Sequence, residues 1–132
     1  MQTLTMTKKE NQFYLAYVEA IYFTDTGEDG EPDTDAEMDQ DFIRESMIDC
    51  LAMYGRIACY LSDDNVEQAG HDFWLTRNGH GIGYWDRPEI YGQNMAEKYT
   101  KWAESFGPAD PVFDDVTIAQ LKIEISQEWV EL

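Results

Sequence analysis

Apolar positions along the chain fall into blocks whose spacing changes from helical to alternating and back. In the stretch 11–23, Phe13, Leu15, Ala16, Tyr17, Val18, Ala20, Ile21 and Tyr22 are apolar on more than one face, and the Ala and Leu content and the length favour a helix over a strand. Ile43, Met47, Cys50, Leu51, Tyr54, Ile57, Ala58 and Leu61 recur every three or four residues, which predicts a long amphipathic helix over about 34–62. Over 72–86 the pattern changes. Asn78-Gly79 separates two β-favouring runs, Phe73-Trp74-Leu75-Thr76-Arg77 and Ile82-Gly83-Tyr84-Trp85, which predicts a β-hairpin.

Asp86 followed by Arg87-Pro88-Glu89 reads as a capping box, opening a helix through Ile90, Met95, Tyr99, Trp102 and Phe106 that Gly107-Pro108 stops. In 116–125, Val116 and Ile118 and then Leu121, Ile123 and Ile125 alternate with polar residues, as in a third strand; Ile118, Leu121, Ile125 and Trp129 also fit a helix face. No repeat or linker divides the chain. The expected architecture is a single α+β domain over 1–132: two N-terminal helices, a β-hairpin, a further helix and a third antiparallel strand.

A two-residue turn at Asn78-Gly79 fixes the expected register of the hairpin. Arg77 faces His80, Leu75 faces Ile82, Phe73 faces Tyr84 and His71 faces Asp86 on one side, with Trp74 across from Gly83 and Trp85 across from Asp72 on the other. Gly83 then leaves room for the Trp74 ring, and one hairpin face is expected to cover the helices containing Met47, Leu51, Tyr54, Met95 and Trp102.

Composition narrows the function classes. Among 132 residues, 27 acidic side chains against 9 basic ones leave a formal charge of −18, so nucleic acid is not expected as a direct ligand. With 43% hydrophobic and 14% aromatic residues the chain has enough to bury a core. Cys50 and Cys59, nine apart on one helical stripe, lie roughly 13 Å apart along the axis, too far for a disulfide, so a reduced setting and a place in the core are expected for both. No signal-peptide pattern and no run of eighteen apolar residues is present, and the expectation is an intracellular protein with no membrane partner.

The segment 25–41 holds nine carboxylates in seventeen residues with no Lys or Arg, and reads as an acidic loop leading into the start of a helix. An EF-hand register starting at Asp25 puts Gly27 at the third position and Ala36 at the twelfth, so two required ligands are missing and no metal site is assigned. The two cysteines and two histidines lack zinc spacing, and the run 79–83 is neither a P-loop nor a dinucleotide-binding turn, so no cofactor is expected.

Two candidate sites remain. Asp41, Glu45 and Asp49 step by four residues, about 6 Å each, and with Asp35 and Asp39 form an acidic stripe whose spacing compares with successive phosphates of one nucleic-acid strand. Such a stripe suits a basic partner protein; its plainer role is to keep the surface soluble. The other candidate is a polar cluster on the hairpin, with His71 as acid or base oriented by Asp86 and with Arg77 and His80 engaging an anionic group; its plainer reading is an ion pair at the hairpin base and exposed residues at the tip.

The run 68–87, containing Ala-Gly-His-Asp-Phe-Trp-Leu-Thr-Arg-Asn-Gly-His-Gly-Ile-Gly-Tyr-Trp-Asp-Arg, resembles the signature of a family of small acidic proteins encoded by tailed bacteriophages and prophages. It departs from the family pattern chiefly at Tyr84, where the family has Phe. The segment 13–23 and the acidic Gly-Glu-Pro loop match more loosely, and the chain from Tyr91 onward matches only in pattern. The resemblance implies a phage origin and the host-cell cytoplasm, and carries no activity with it. By analogy with small acidic phage proteins that inhibit host DNA-binding or defence proteins, the expected function is non-enzymatic: inhibition of a basic, DNA- or RNA-binding host protein, as a nucleic-acid mimic or anti-defence factor. The alternative is a small-ligand or enzymatic site at His71, Asp86, Arg77 and His80.

Overall fold

A computed structural model of the protein describes residues 5–25, 38–111 and 129–130. Its elements are β1 (Met6–Thr7), α1 (Lys8–Asp25), α2 (Gln40–Ile57), α3 (Val66–Arg77), α4 (Pro88–Tyr91), α5 (Gln93–Ser105) and β2 (Trp129–Val130), with 3-10 turns at Ala58–Tyr60, Asp63–Asn65 and Tyr84–Asp86. The described residues are mostly helical, and their sheet is two residues deep: β1 lies parallel to β2, Met6 opposite Trp129 and Thr7 opposite Val130.

The α+β fold with a β-hairpin is therefore corrected. The residues expected to form the first hairpin strand are the second half of α3, and those expected to form the second are a glycine-rich loop closing in a 3-10 turn. Nine of the twelve residues of α3 are buried, including all of Asp72 to Arg77, so burial surrounds the second half of the helix and confines its polar face to Glu67, Gln68 and His71, outside the run whose pattern suggested a strand. Asn78-Gly79 ends this helix instead of turning a hairpin. The Asn78 side chain donates to the Trp74 carbonyl, the Gly79 and His80 amides bond back to Thr76 and Leu75, and Gly79 takes φ +66°, a left-handed conformation suited to a helix stop.

The core lies where α3 runs against α1. A Cβ at Gly70 would overlap the Phe13 carbonyl oxygen and press on the Ala16 side chain, so the missing side chain sets how closely the two helices approach. Phe13, Tyr17 and Ile21 of α1, Met47, Cys50 and Met53 of α2, and Tyr99 and Ala103 of α5 complete the buried cluster. The expected cover for Met47, Leu51, Tyr54, Met95 and Trp102 is thus supplied by helices.

Several boundaries also move. The second helix begins at Gln40, because the Asp39 side chain caps it by accepting from the Phe42 amide, and it gives way to a 3-10 turn after Ile57. Cys50 is buried as expected, while Cys59 lies beyond the helix and is exposed. The Asp86 capping box does not form. Pro88–Tyr91 makes a single turn preceded by Arg87 with no side-chain cap, and Gly92 at φ +85° separates it from α5. The helix stop at Gly107-Pro108 is found as read, with Gly107 at φ +77°. The strand expected over 116–125 and most of the acidic loop, 26–37, lie outside the described residues.

Candidate functional site

Three polar residues of the 68–87 segment, Asp72, Thr76 and Arg77, are buried, and two of them organise the fold. Arg77 is the last residue of α3 and is 7% exposed. Its Nε donates to the Gly107 carbonyl at 2.8 Å and its Nη2 to the Phe106 carbonyl at 3.3 Å, so its charge caps the carbonyl end of α5. Its Nη1 donates to the Tyr17 hydroxyl at 3.1 Å and to Asp49 Oδ2 at 2.9 Å. The guanidinium also sits 5.4 Å from the Phe73 ring centroid and 5.7 Å from that of Phe106. One side chain therefore ties α1, α2, α3 and the end of α5 together. Burial disfavours its charge, and Tyr17 and Asp49 outweigh that penalty, so its pKa is raised. Burial also pushes the Tyr17 phenol up.

Asp72 is the second organiser. Its carboxylate is fully buried and accepts from Arg87 Nε at 3.0 Å on both oxygens, from the Tyr91 hydroxyl at 2.7 Å and from Gln68 Nε2 at 3.2 Å. This joins α3 to α4 through the loop between them. Other polar groups of the segment are likewise committed. Trp74 Nε1 donates to Thr24 Oγ1, the Tyr84 amide donates to Thr76 Oγ1, the Tyr84 hydroxyl donates to the Ala69 carbonyl, and Asn78 Oδ1 accepts from the Ala109 amide.

The four residues read as a hairpin cluster do not come together. His71 faces Glu19 on α1 at 3.6 Å, His80 is exposed with its ring 6.4 Å from that of Trp74, Asp86 is exposed in its 3-10 turn, and Arg77 is inside. The expected pairs His71–Asp86 and Arg77–His80 depended on the hairpin register and are replaced by His71–Glu19 and Arg77–Asp49. The expected contact of Gly83 with Trp74 is also corrected: a Cβ at Gly83 would overlap Thr76 Oγ1.

Helix α2 carries the acidic stripe. Asp41 and Glu45 are exposed, and among the described residues neither makes an ion pair; Asp39 commits one oxygen to the helix cap, and Asp49, 32% exposed, pairs with Arg77. Asp35 lies outside the described residues. Ile48, 48% exposed, stands on the same outward face as Glu45.

Beside this face a cleft of about 270 Å³ opens between α2 and the segment 108–110 that follows α5. Glu45, Ser46 and Asp49 line it from α2, and Asp110 from the other wall. Arg77 and Tyr17 form part of its lining. Ser46 is 2% exposed, and its Oγ has no hydrogen-bond partner among the described residues. Sequence reasoning missed Ser46 and Asp110. Ser46 follows Glu45 directly in the acidic stretch, but only the placement of Arg77 and the end of α5 turns that neighbourhood into a cleft.

Among the described residues no group of three or more His, Cys, Asp or Glu is arranged to hold a metal ion, and no helix is long and apolar enough to cross a membrane. No protein-family model matches the chain, and no curated protein or solved structure shows significant similarity to it.

Proposed function

We propose that this protein is a phage-encoded, non-enzymatic acidic binder that occupies a basic surface of a host protein, of the kind that otherwise holds DNA or RNA. The observation that carries this reading is the outward face of α2, where Asp41 and Glu45 stand exposed without ion pairs among the described residues on a chain of net charge −18. The other polar residues that attract attention, Asp72 and Arg77, are committed to internal bonds, whereas Asp41 and Glu45 are accessible on one helical face. Like charges four apart on a helix destabilise it by a few tenths of a kcal/mol per pair, roughly, a cost that a basic partner relieves. The phage origin and a setting in the host-cell cytoplasm rest on the 68–87 resemblance.

Complementary charge raises association rates and makes them fall with salt. Tagged protein incubated with a bacterial host lysate at low salt is expected to retain basic proteins that are released by added salt and displaced by duplex DNA. The double substitution Asp41→Lys with Glu45→Lys is expected to abolish retention. A retained set indifferent to salt, to DNA and to both substitutions would overturn the reading.

A further inference from the structure

The cleft beside α2 has a charge balance and an unfilled polar position that the fold itself does not use. Three carboxylates line it, from Glu45, Asp49 and Asp110, and the single cation in its wall, Arg77, is consumed by Asp49, Tyr17 and the carbonyls of Phe106 and Gly107. Two carboxylates, those of Glu45 and Asp110, remain without ion pairs among the described residues. An anion is disfavoured there, since one mostly committed guanidinium faces three negative charges. A buried hydroxyl with no partner is destabilising, and Ser46, a residue of the lining, carries such an Oγ among the described residues. A ligand that donates hydrogen bonds and carries positive charge satisfies all three features at once. The volume, about 270 Å³, falls just below the ~300–1,000 Å³ typical of small-molecule pockets, which suits one long side chain rather than a cofactor.

We propose that this cleft receives a guanidinium group, supplied by an arginine of the basic partner. The inference deepens the reading given under Proposed function and rests on it for the source of the arginine. Arginine fits better than lysine because its planar fork presents five donors in fixed directions, so it can meet acceptors on both walls, whereas an ammonium concentrates three donors at one point. Ser46 Oγ then gains a donor, and Glu45 and Asp110 gain charge-assisted bonds.

The test uses the full chain and three small probes, N-acetyl-arginine amide, N-acetyl-lysine amide and the uncharged isostere N-acetyl-citrulline amide, followed by NMR shifts of the backbone amides. Saturable shifts at Glu45, Ser46 and Ala109 are expected with the arginine probe, weaker ones with lysine and none with citrulline. Glu45→Gln, at an exposed position, is expected to weaken the arginine probe about tenfold and Ser46→Ala about fivefold, with melting curves unchanged for Glu45→Gln. Equal response to citrulline, or no saturable shift at these amides, overturns the proposal. The partner is tested separately. If basic proteins are retained in a salt-sensitive way but Ser46→Ala and free arginine probe leave retention unchanged, the cleft is not their anchor and the broader binding reading stands. If the probe binds as described but no basic protein is retained, the partner as the source of the guanidinium is overturned and the cleft is a site for a free guanidinium compound.

Discussion

The segment 68–87 and the outer face of α2 invert what their compositions advertise. The first gathers His, Asp, Arg, Trp and several glycines into a run that looks built for chemistry, yet Asp72 and Arg77 face inward with hydrogen bonds to neighbouring elements. The second is an ordinary run of acids and apolar residues, yet among the described residues Asp41 and Glu45 have no ion pair at the surface, next to a cleft lined by Ser46, whose hydroxyl has no partner there. The difference teaches that rare side chains in a dense motif can serve a small helical core that needs staples as readily as they serve catalysis. Desolvated charge is costly unless paired, so the buried charges of Asp72 and Arg77 are paired within the fold, while the exposed carboxylates of α2 are satisfied by water and remain accessible.

The comparison breaks most directly at Arg77. Arg77→Ala removes an ion pair to Asp49, a bond to Tyr17 and the cap on α5 in one step, and is expected to destabilise the fold by about 3 kcal/mol, the lower end of the usual cost of breaking a buried pair because Asp49 is partly exposed. Arg77→Lys should recover less than half of this, because an ammonium cannot span acceptors on three elements. Chemical denaturation monitored by circular dichroism reads both. A substitution tolerated without loss would mean that Arg77 is available for something other than holding the helices together.

The packing around the glycines comes next. Gly83→Val would drive its side chain into Thr76 Oγ1 and displace the Tyr84 amide that bonds there, with an expected loss of about 1 to 3 kcal/mol from overpacking. The companion Thr76→Ala with Gly83→Ala should lose less than Gly83→Val alone if space, and not the hydroxyl bond, dominates. An unchanged melting temperature for Gly83→Val would remove the loop from the structural side of the comparison.

How much of this was legible follows from the range of the interactions. Helices α1, α2 and α5 show in the sequence because their apolar spacing or composition is local, and the exposure of Asp41 and Glu45 follows from their four-residue step opposite Ile43 and Met47. The period of helix α3 is hidden because burial on all sides of its second half leaves no polar face there, and because Asn-Gly is both a hairpin turn and a helix stop. The partners of Asp72 and Arg77 were illegible for another reason. Arg77 meets Asp49 across 28 residues and Gly107 across 30, and no local pattern encodes which helix end a side chain will reach. The cleft inherits that blindness, since Ser46 and Asp110 come to line it only through the long-range placement of the end of α5, where Arg77 bonds.

Alkaline pH sharpens the comparison without a mutation. Tyr99 is pushed up to about 12 by burial, and burial likewise raises Tyr17, Tyr84 and Tyr91 above the ordinary value of 10.0. A group whose pKa is raised in the fold holds its full stabilisation below its unfolded value and loses it as pH climbs through the folded one. Stability should therefore be flat with respect to these tyrosines below about pH 10 and fall between about 10 and 12. Phenolate absorbance should rise together with loss of helix. Titration of these four in an intact helical fold would show that the core is less closed than its hydrogen bonds indicate.

The smallest expected effect lies on the other side of the comparison. Asp41→Lys and Glu45→Lys touch no internal bond among the described residues, so each should change stability by no more than about 0.5 kcal/mol, as surface substitutions do. The sign has two local contributions. Replacing one member of the i, i+4 acidic pair relieves repulsion worth a few tenths of a kcal/mol, approximately, while Asp41 in the first turn of α2 also favours the helix dipole by a similar amount. Glu45→Lys should therefore be neutral to slightly stabilising and Asp41→Lys neutral to slightly destabilising, a difference that thermal melts at low ionic strength can resolve and that added salt should erase. If either substitution instead costs as much as Gly83→Val, that carboxylate has a partner within the fold, and the α2 face belongs with the stapled segment rather than in contrast to it.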